Sequence, residues 1–236
     1  MVFVCCHFNE MKLKLLSRLY AFPALPVDIE KAPFIILDSG AWGLAQRGKS
    51  MNCNYMQRLA EHYSRFQSRN VHCIAPDVYL DPRQTMRNWE WWQTNFPEIK
   101  VVPVIQFERE RTLDWYCAVR QAEFYAQFHP GFIAVSNPAL RASESGVMIE
   151  ICAAVREITK AKWLHNLGAG WSPDDIAAWR ELGCFDSIDS VSYYEDAKRG
   201  KCWRRDGKIE ICRTKTNWRA VAHHNAEVAN TLAEKE

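Results

Sequence analysis

The sequence predicts an α/β protein folded as a compact (βα)8 TIM-like barrel, and three observations lead there. Short apolar runs alternate with longer amphipathic segments along almost the whole chain. Most apolar runs are continuous rather than alternating, as expected for parallel strands covered on both faces. The repeat is roughly 25–35 residues, the length of one strand and its crossover helix. A single barrel domain spanning residues 1–236 is expected, compact beside the ~250 residues typical of this architecture. No Gly-rich phosphate loop follows the first strand, which weakens the doubly wound, dinucleotide-binding alternative.

The strand candidates, in order, are Val2–Phe8, Phe34–Asp38, His72–Val78, Val101–Phe107, Gly131–Asn137, Lys162–Leu167 and Phe185–Val191. Helical patterns cover Asn54–Arg69, Pro82–Thr94, Arg109–Gln127, Ser143–Thr159 and Pro173–Leu182. In the first, Tyr55, Leu59, His62, Tyr63 and Phe66 recur at helical spacing. Asp81-Pro82 and Ser172-Pro173 set a capping residue before a proline at the first helical position, and Gly183 reads as a C-cap. The eighth strand is open. Lys208–Cys212 alternates in polarity but follows the turn Asp206-Gly207, so it is either that strand or one arm of a basic hairpin after the seventh. A closing helix is expected from about Asn217 to Glu236.

The composition, 48% hydrophobic and 25% charged, is that of a globular protein. No apolar run approaches the ~20 residues of a membrane span. Net charge is +2, so overall charge does not point to nucleic acid. Its distribution says more. Between Ala197 and Arg219 stand nine Lys or Arg against two acids, enough to neutralise phosphates locally or simply to form a solvated face. The nine cysteines are scattered without a CxxC pair and no secretory segment precedes them, which fits reduced thiols in the cytoplasm.

Function is read from the strand ends. Asp38, Asp77, Gln106, Ser136 with Asn137, His165 with Asn166, and Asp189 stand toward the ends of their strand candidates, Asp189 after Phe185-Asp186-Ser187-Ile188. In a barrel those ends converge on one mouth, where catalytic side chains come from several strands. A capping role explains one such residue better than six. Asp38-Ser39-Gly40-Ala41-Trp42 is the most structured of these segments, with Gly40 permitting a sharp turn or close approach to a flat ligand. Asp38 and Asp189 form a candidate pair of carboxylates able to divide nucleophilic and acid/base work.

These motifs resemble the tRNA-guanine transglycosylase superfamily, and most closely its short DNA-guanine transglycosylases from phage and bacteria. Asp38-Ser39-Gly40-Ala41-Trp42 is similar to the family's Asp-Ser-Gly-Gly-Phe segment. The spacing from Asp189 to Ala197-Lys198-Arg199-Gly200 matches that between its nucleophile and its Ala-Arg-Asn-Gly turn, and Lys201–Ile209 resembles the hairpin that follows. Gln106 and Asp77 stand where the family places base-contacting residues, and Leu164–Gly170 resembles its loop after strand six. The likeness runs from about Phe34 to Ile211. It departs at Tyr193-Tyr194-Glu195, where the family has Pro-Thr-Arg, and in lacking the family's cysteine-rich zinc cluster: Cys202 and Cys212 are ten positions apart, with only His223 and His224 beyond.

The resemblance implies base exchange with retention at C1′. Asp189 would attack as nucleophile and Asp38 would move the proton. Asp77 would accept from guanine N1–H and the exocyclic amine, and Gln106 would donate to O6. Ser39, Gly40, Trp42, Ser136, His165 and Gly168 would complete the substrate pocket, with Trp42 stacking on the ring. Lys198, Arg199, Lys201, Arg204 and Arg205 would hold phosphates of a flipped or single-stranded target. Expected partners are DNA, or tRNA in the nearest rival reading, and a free 7-deazaguanine base carrying a cyano, aminomethyl or formamidino group. No cofactor, structural zinc or membrane is expected, and a monomer or weak homo-oligomer is. Two further rivals are a non-catalytic nucleic-acid-binding subunit and an unrelated barrel enzyme acting on a small phosphorylated substrate.

Overall fold

The computed structural model describes residues 1–6, 17–26, 29, 32–109, 112–136, 146–168, 172–212 and 217–234. Eight parallel strands form its centre: β1 (Val2–Cys6), β2 (Arg18–Ala21), β3 (Ile35–Asp38), β4 (Val71–Cys73), β5 (Val104–Gln106), β6 (Phe132–Ser136), β7 (Trp163–Leu167) and β8 (Ser187–Ser190). They pair in the order β4-β3-β2-β1-β8-β7-β6-β5. The two ends of that order meet at a parallel bridge between Ile74 and Val102, where Val102 N–H donates to Cys73 O at 2.7 Å and Ala75 N–H to Val102 O at 2.9 Å. The sheet therefore curls until its edges touch, giving a TIM-like barrel.

Side chains alternate between the barrel interior and the helix layer. Val4, Leu19, Ile36, Ile74, Val104 and Ala134 pack together inside. Below them Phe34, His72, Phe132 and Trp163 form an aromatic floor with ring centroids 4.7 to 6.2 Å apart. Burial there pushes His72 down to about 4, with the nearby His165 adding to the effect, so its ring is neutral. The alternate residues Phe3, Cys5, Ile105, Ile133, Val135, Leu164 and Ile188 face the outer layer.

That layer contains α1 (Ala41–Gln46), α2 (Cys53–Ser64), α3 (Pro82–Asn95), α4 (Trp115–Ala126), α5 (Gly146–Thr159), α6 (Pro173–Leu182), α7 (Ser192–Lys198) and α8 (Trp218–Ala233). The expected caps are present: Asp81 accepts from Gln84 N–H, Ser172 from Asp175 N–H, and Gly183 closes α6 in the left-handed conformation. Among the described residues no helix is long and apolar enough to cross a membrane.

The open choice over Lys208–Cys212 falls to the hairpin, and the eighth barrel strand lies elsewhere. It is Arg18–Ala21, and Lys208–Cys212 lies instead in a hairpin of β9 (Lys201–Trp203) and antiparallel β10 (Ile209–Ile211). The basic hairpin thus follows the eighth strand rather than the seventh. Arg-Leu-Tyr-Ala hides β2 because it opens on a charge, which the fold buries with Arg18 Nη1 donating to the Tyr20 hydroxyl at 3.1 Å. Gly207, at the hairpin tip with φ +85°, sits against Asp174 in the first turn of α6, where a Cβ would collide with that carboxylate. Since α6 starts just beyond the end of β7, this contact holds the hairpin at the C-terminal rim of the barrel.

Candidate active site

The period-two alternation that fills the interior also carries Cys6, Asp38, Gln106 and Ser136 to the inward-facing final positions of their strands, and Asp189 to the inward-facing position one before the end of β8. Asp77 joins them just after β4. Asp189 is nearly buried and its two oxygens have different surroundings. Oδ1 accepts from Gly168 N–H at 2.9 Å and lies 3.0 Å from His165 Nε2, whereas among the described residues Oδ2 faces only the Cys6 thiol at 3.5 Å. His165 is fully buried in β7. Its Nδ1 lies 2.8 Å from Ser187 Oγ, which accepts from Trp163 Nε1–H at 2.7 Å. The serine can give its one proton to Nδ1, and in that tautomer Nε2–H donates to Asp189. A chain of hydrogen bonds from the aromatic floor therefore fixes Oδ1 and leaves Oδ2 the freer, more nucleophilic oxygen.

Across the mouth, Ser39 Oγ donates to Asp77 Oδ1 at 2.5 Å and Gln106 Nε2 to Asp77 Oδ2 at 2.6 Å. Gln106 is itself clamped by Gln121, whose Oε1 accepts from Gln106 N–H at 3.0 Å and whose Nε2 donates to Gln106 O at 2.8 Å. Asp77 and Gln106 are thus brought together as the sequence suggests, with one difference of detail. Both Asp77 oxygens already accept one bond, while buried Gln106 Oε1 has no partner among the described residues. A ligand N–H reaching that oxygen would relieve an otherwise costly orphan.

Burial raises the Asp77 carboxyl against the pull of its Ser39 and Gln106 donors. Asp38 is pushed up to about 7, chiefly by burial and then by the charge of Asp77, with the hydrogen bond from Gly40 N–H at 3.1 Å opposing the shift. A carboxyl titrating there can both give and take a proton at neutral pH. Gly40 adopts φ +80°, and a Cβ would approach the Tyr55 hydroxyl to 2.7 Å. That hydroxyl donates to Ser39 O at 2.8 Å, so Tyr55 pins the turn that aims Asp38 and Ser39.

Other expected site residues are placed less centrally. Trp42 stands on α1 with 58% of its surface exposed, available for stacking. Ser136 is buried at the end of β6, while Asn137, Ala169 and Gly170 lie outside the described residues. His165 has both ring nitrogens engaged beneath Asp189 and points to that carboxylate rather than to open space. Of the phosphate-binding candidates, Lys198 pairs with Glu195 at 3.5 Å, Lys201 with Asp196 at 3.2 Å, and Arg204 with Asp206 and Glu210. Arg199 and Arg205 are exposed without an ion pair among the described residues, and Arg213 and Lys215 fall outside them. Among the described residues no cluster of three metal-ligating side chains occurs.

No protein-family model matches the sequence, and no curated protein matches it. Among solved structures the chain is similar to tryptophan synthase from M. tuberculosis, in an open form with BRD0059 bound. Identity is 11% and the TM-score 0.42, over 97% of this chain and 92% of that one. The barrel assignment rests on the strand pairing itself. Sequence reasoning missed Cys6, Ser187 and Gln121 as parts of the site. Gln121 left one signal: it is a polar residue on the stripe of Ala118, Ala122 and Tyr125, where α4 is otherwise buried.

Proposed function

We propose that this protein is an enzyme that replaces guanine in DNA with a 7-deazaguanine derivative, through a glycosyl ester on Asp189. The observation that carries the reading is the division of labour between the two carboxyls. Asp189 accepts two hydrogen bonds on Oδ1 and, among the described residues, meets only the Cys6 thiol at Oδ2, while Asp38 is raised toward neutrality and suits proton transfer.

In the first half-reaction Asp189 Oδ2 attacks C1′ of an extruded deoxyguanosine. The C1′–N9 bond breaks and its electron pair leaves with the base, which takes a proton from Asp38. In the second, Asp38, now ionised, removes the N9 proton of the incoming base. That nitrogen attacks C1′ and expels Asp189, so two inversions give retention. Gln106 Oε1 and the remaining lone pairs of Asp77 would accept from the N1–H and exocyclic amine of guanine, and the second hydrogen of Gln106 Nε2 is available for O6. Adenine would leave these acceptors unpaired. The hairpin at the rim, with Arg205 on it and Arg199 just before it, both without an ion pair among the described residues, supports a phosphate-bearing substrate over a small metabolite. A purely binding role would have no use for a carboxyl held near neutrality.

The test is incubation with labelled guanine and, separately, double-stranded DNA, single-stranded DNA and unmodified tRNA. Label should enter DNA with the wild type and not with Asp189→Ala. Label in tRNA alone would move the substrate, and label in none would overturn the reading.

A further inference from the structure

We propose that a cleft between the first turns of α3 and α4 holds a nucleotide adjacent to the target guanine and so reads sequence context; this rests on the transglycosylase reading above. Arg83, Glu108, Tyr116, Cys117, Arg120 and Gln121 line it. Both helices begin just beyond the C-terminal ends of β4 and β5, so the cleft opens on the same face as the mouth, beside Asp77 and Gln106. In the eight-strand ring β4 lies four places from β8, on the side opposite the basic hairpin. A strand crossing the mouth with its guanine extruded would meet the hairpin on one side and this cleft on the other.

Three features identify the occupant as a nucleotide. Arg83 and Arg120 are exposed and carry no ion pair among the described residues, unlike Lys198, Lys201 and Arg204. Their guanidinium groups are free to take a phosphodiester in the bidentate geometry arginine favours. Tyr116 is 76% exposed, braced edge-on by Trp115 at a centroid distance of 5.3 Å, an open ring on which a base can stack. Two carboxylates also line it, Asp114, which caps α4 by accepting from Cys117 N–H, and Glu108; together they would repel a bare anion, while Glu108 can accept from the amino group of a base. The floor then links the cleft to the reading residue: Gln121 holds both the N–H and the carbonyl of Gln106, so a ligand pressing on Gln121 acts on the backbone that aims Gln106.

The experiment titrates a fluorescein-labelled single-stranded DNA 15-mer by anisotropy at several salt concentrations, alongside the labelled-guanine exchange assay. With two phosphate contacts removed, Arg83→Ala/Arg120→Ala should lower the slope of log K against log salt by about 1.4. Tyr116→Ala should weaken binding about tenfold with little change in slope. All three side chains are exposed, so loss of fold would not explain these effects. Unchanged slope and affinity in both variants, or no binding of the strand by the wild type, would overturn the cleft. Exchange in the wild type with an unchanged slope removes the cleft alone. A lowered slope without any exchange removes the transglycosylase reading and keeps the cleft as a nucleotide site.

Discussion

Asp38→Asn should stabilise the fold at alkaline pH and leave it nearly unchanged in acid. The group's ordinary value is 3.8 and in the fold it is pushed up to about 7. Between those values the native state keeps a proton that the unfolded chain has lost. Unfolding free energy therefore falls as pH rises through this window, and the stability is fully present only below about 3.8. Undamped, the loss would be about 4 kcal/mol at pH 8. Asp38 is only half-buried and water at the mouth screens its neighbours, so about 2 kcal/mol is the expected size. Asn mimics the protonated carboxyl and cannot ionise. Urea unfolding followed by tryptophan fluorescence at pH 4.5 and pH 8 should show the variant's advantage widening by about 2 kcal/mol, with exchange activity lost. An advantage constant across pH, or shrinking as pH rises, would refute the assignment of Asp38 as a carboxyl held near neutrality.

Three further outcomes are expected. His165→Phe removes the donor to Asp189 Oδ1 while roughly filling the same space; kcat for exchange should fall about 100-fold with KM little changed, and an equal loss in KM would place His165 in substrate binding instead. Gly40→Ala forces a side chain into φ +80° and against the Tyr55 hydroxyl, and should cost about 2 kcal/mol in thermal or urea unfolding, part of it recovered in Gly40→Ala/Tyr55→Phe. Replacing Lys201, Arg204 and Arg205 by Ala should lower the salt slope for single-stranded DNA by about 1 rather than the ~2 of three free contacts. Lys201 and Arg204 already face carboxylates.

The barrel was legible because parallel strands buried on both faces leave mostly apolar runs, and seven of the eight overlap the strand candidates. β2 escaped because it is four residues long and begins on Arg18, whose charge masks a position the fold nevertheless buries. The short helices α1 and α7 escaped because six and seven residues show too little periodicity. The placement of the acidic candidates at one end of the barrel could be read because each stands toward the end of a strand candidate. What holds them could not. Ser187, Gln121 and Cys6 acquire their roles from tertiary neighbours 15 to 183 positions away, and no local pattern encodes such contacts. His165 illustrates the limit: its place on a strand end was visible, but its burial beneath Asp189 emerges only when β7 and β8 pair.

The central claim is that Asp189 becomes bonded to C1′ of the target nucleotide. Wild-type protein mixed with a short guanine-containing DNA strand, quenched in acid and digested, should yield a peptide carrying the oligonucleotide at Asp189 by mass spectrometry. Asp189→Asn should yield none, and added labelled guanine should discharge the wild-type adduct. An adduct on another residue, or steady exchange with no adduct at any time after mixing, would contradict the account.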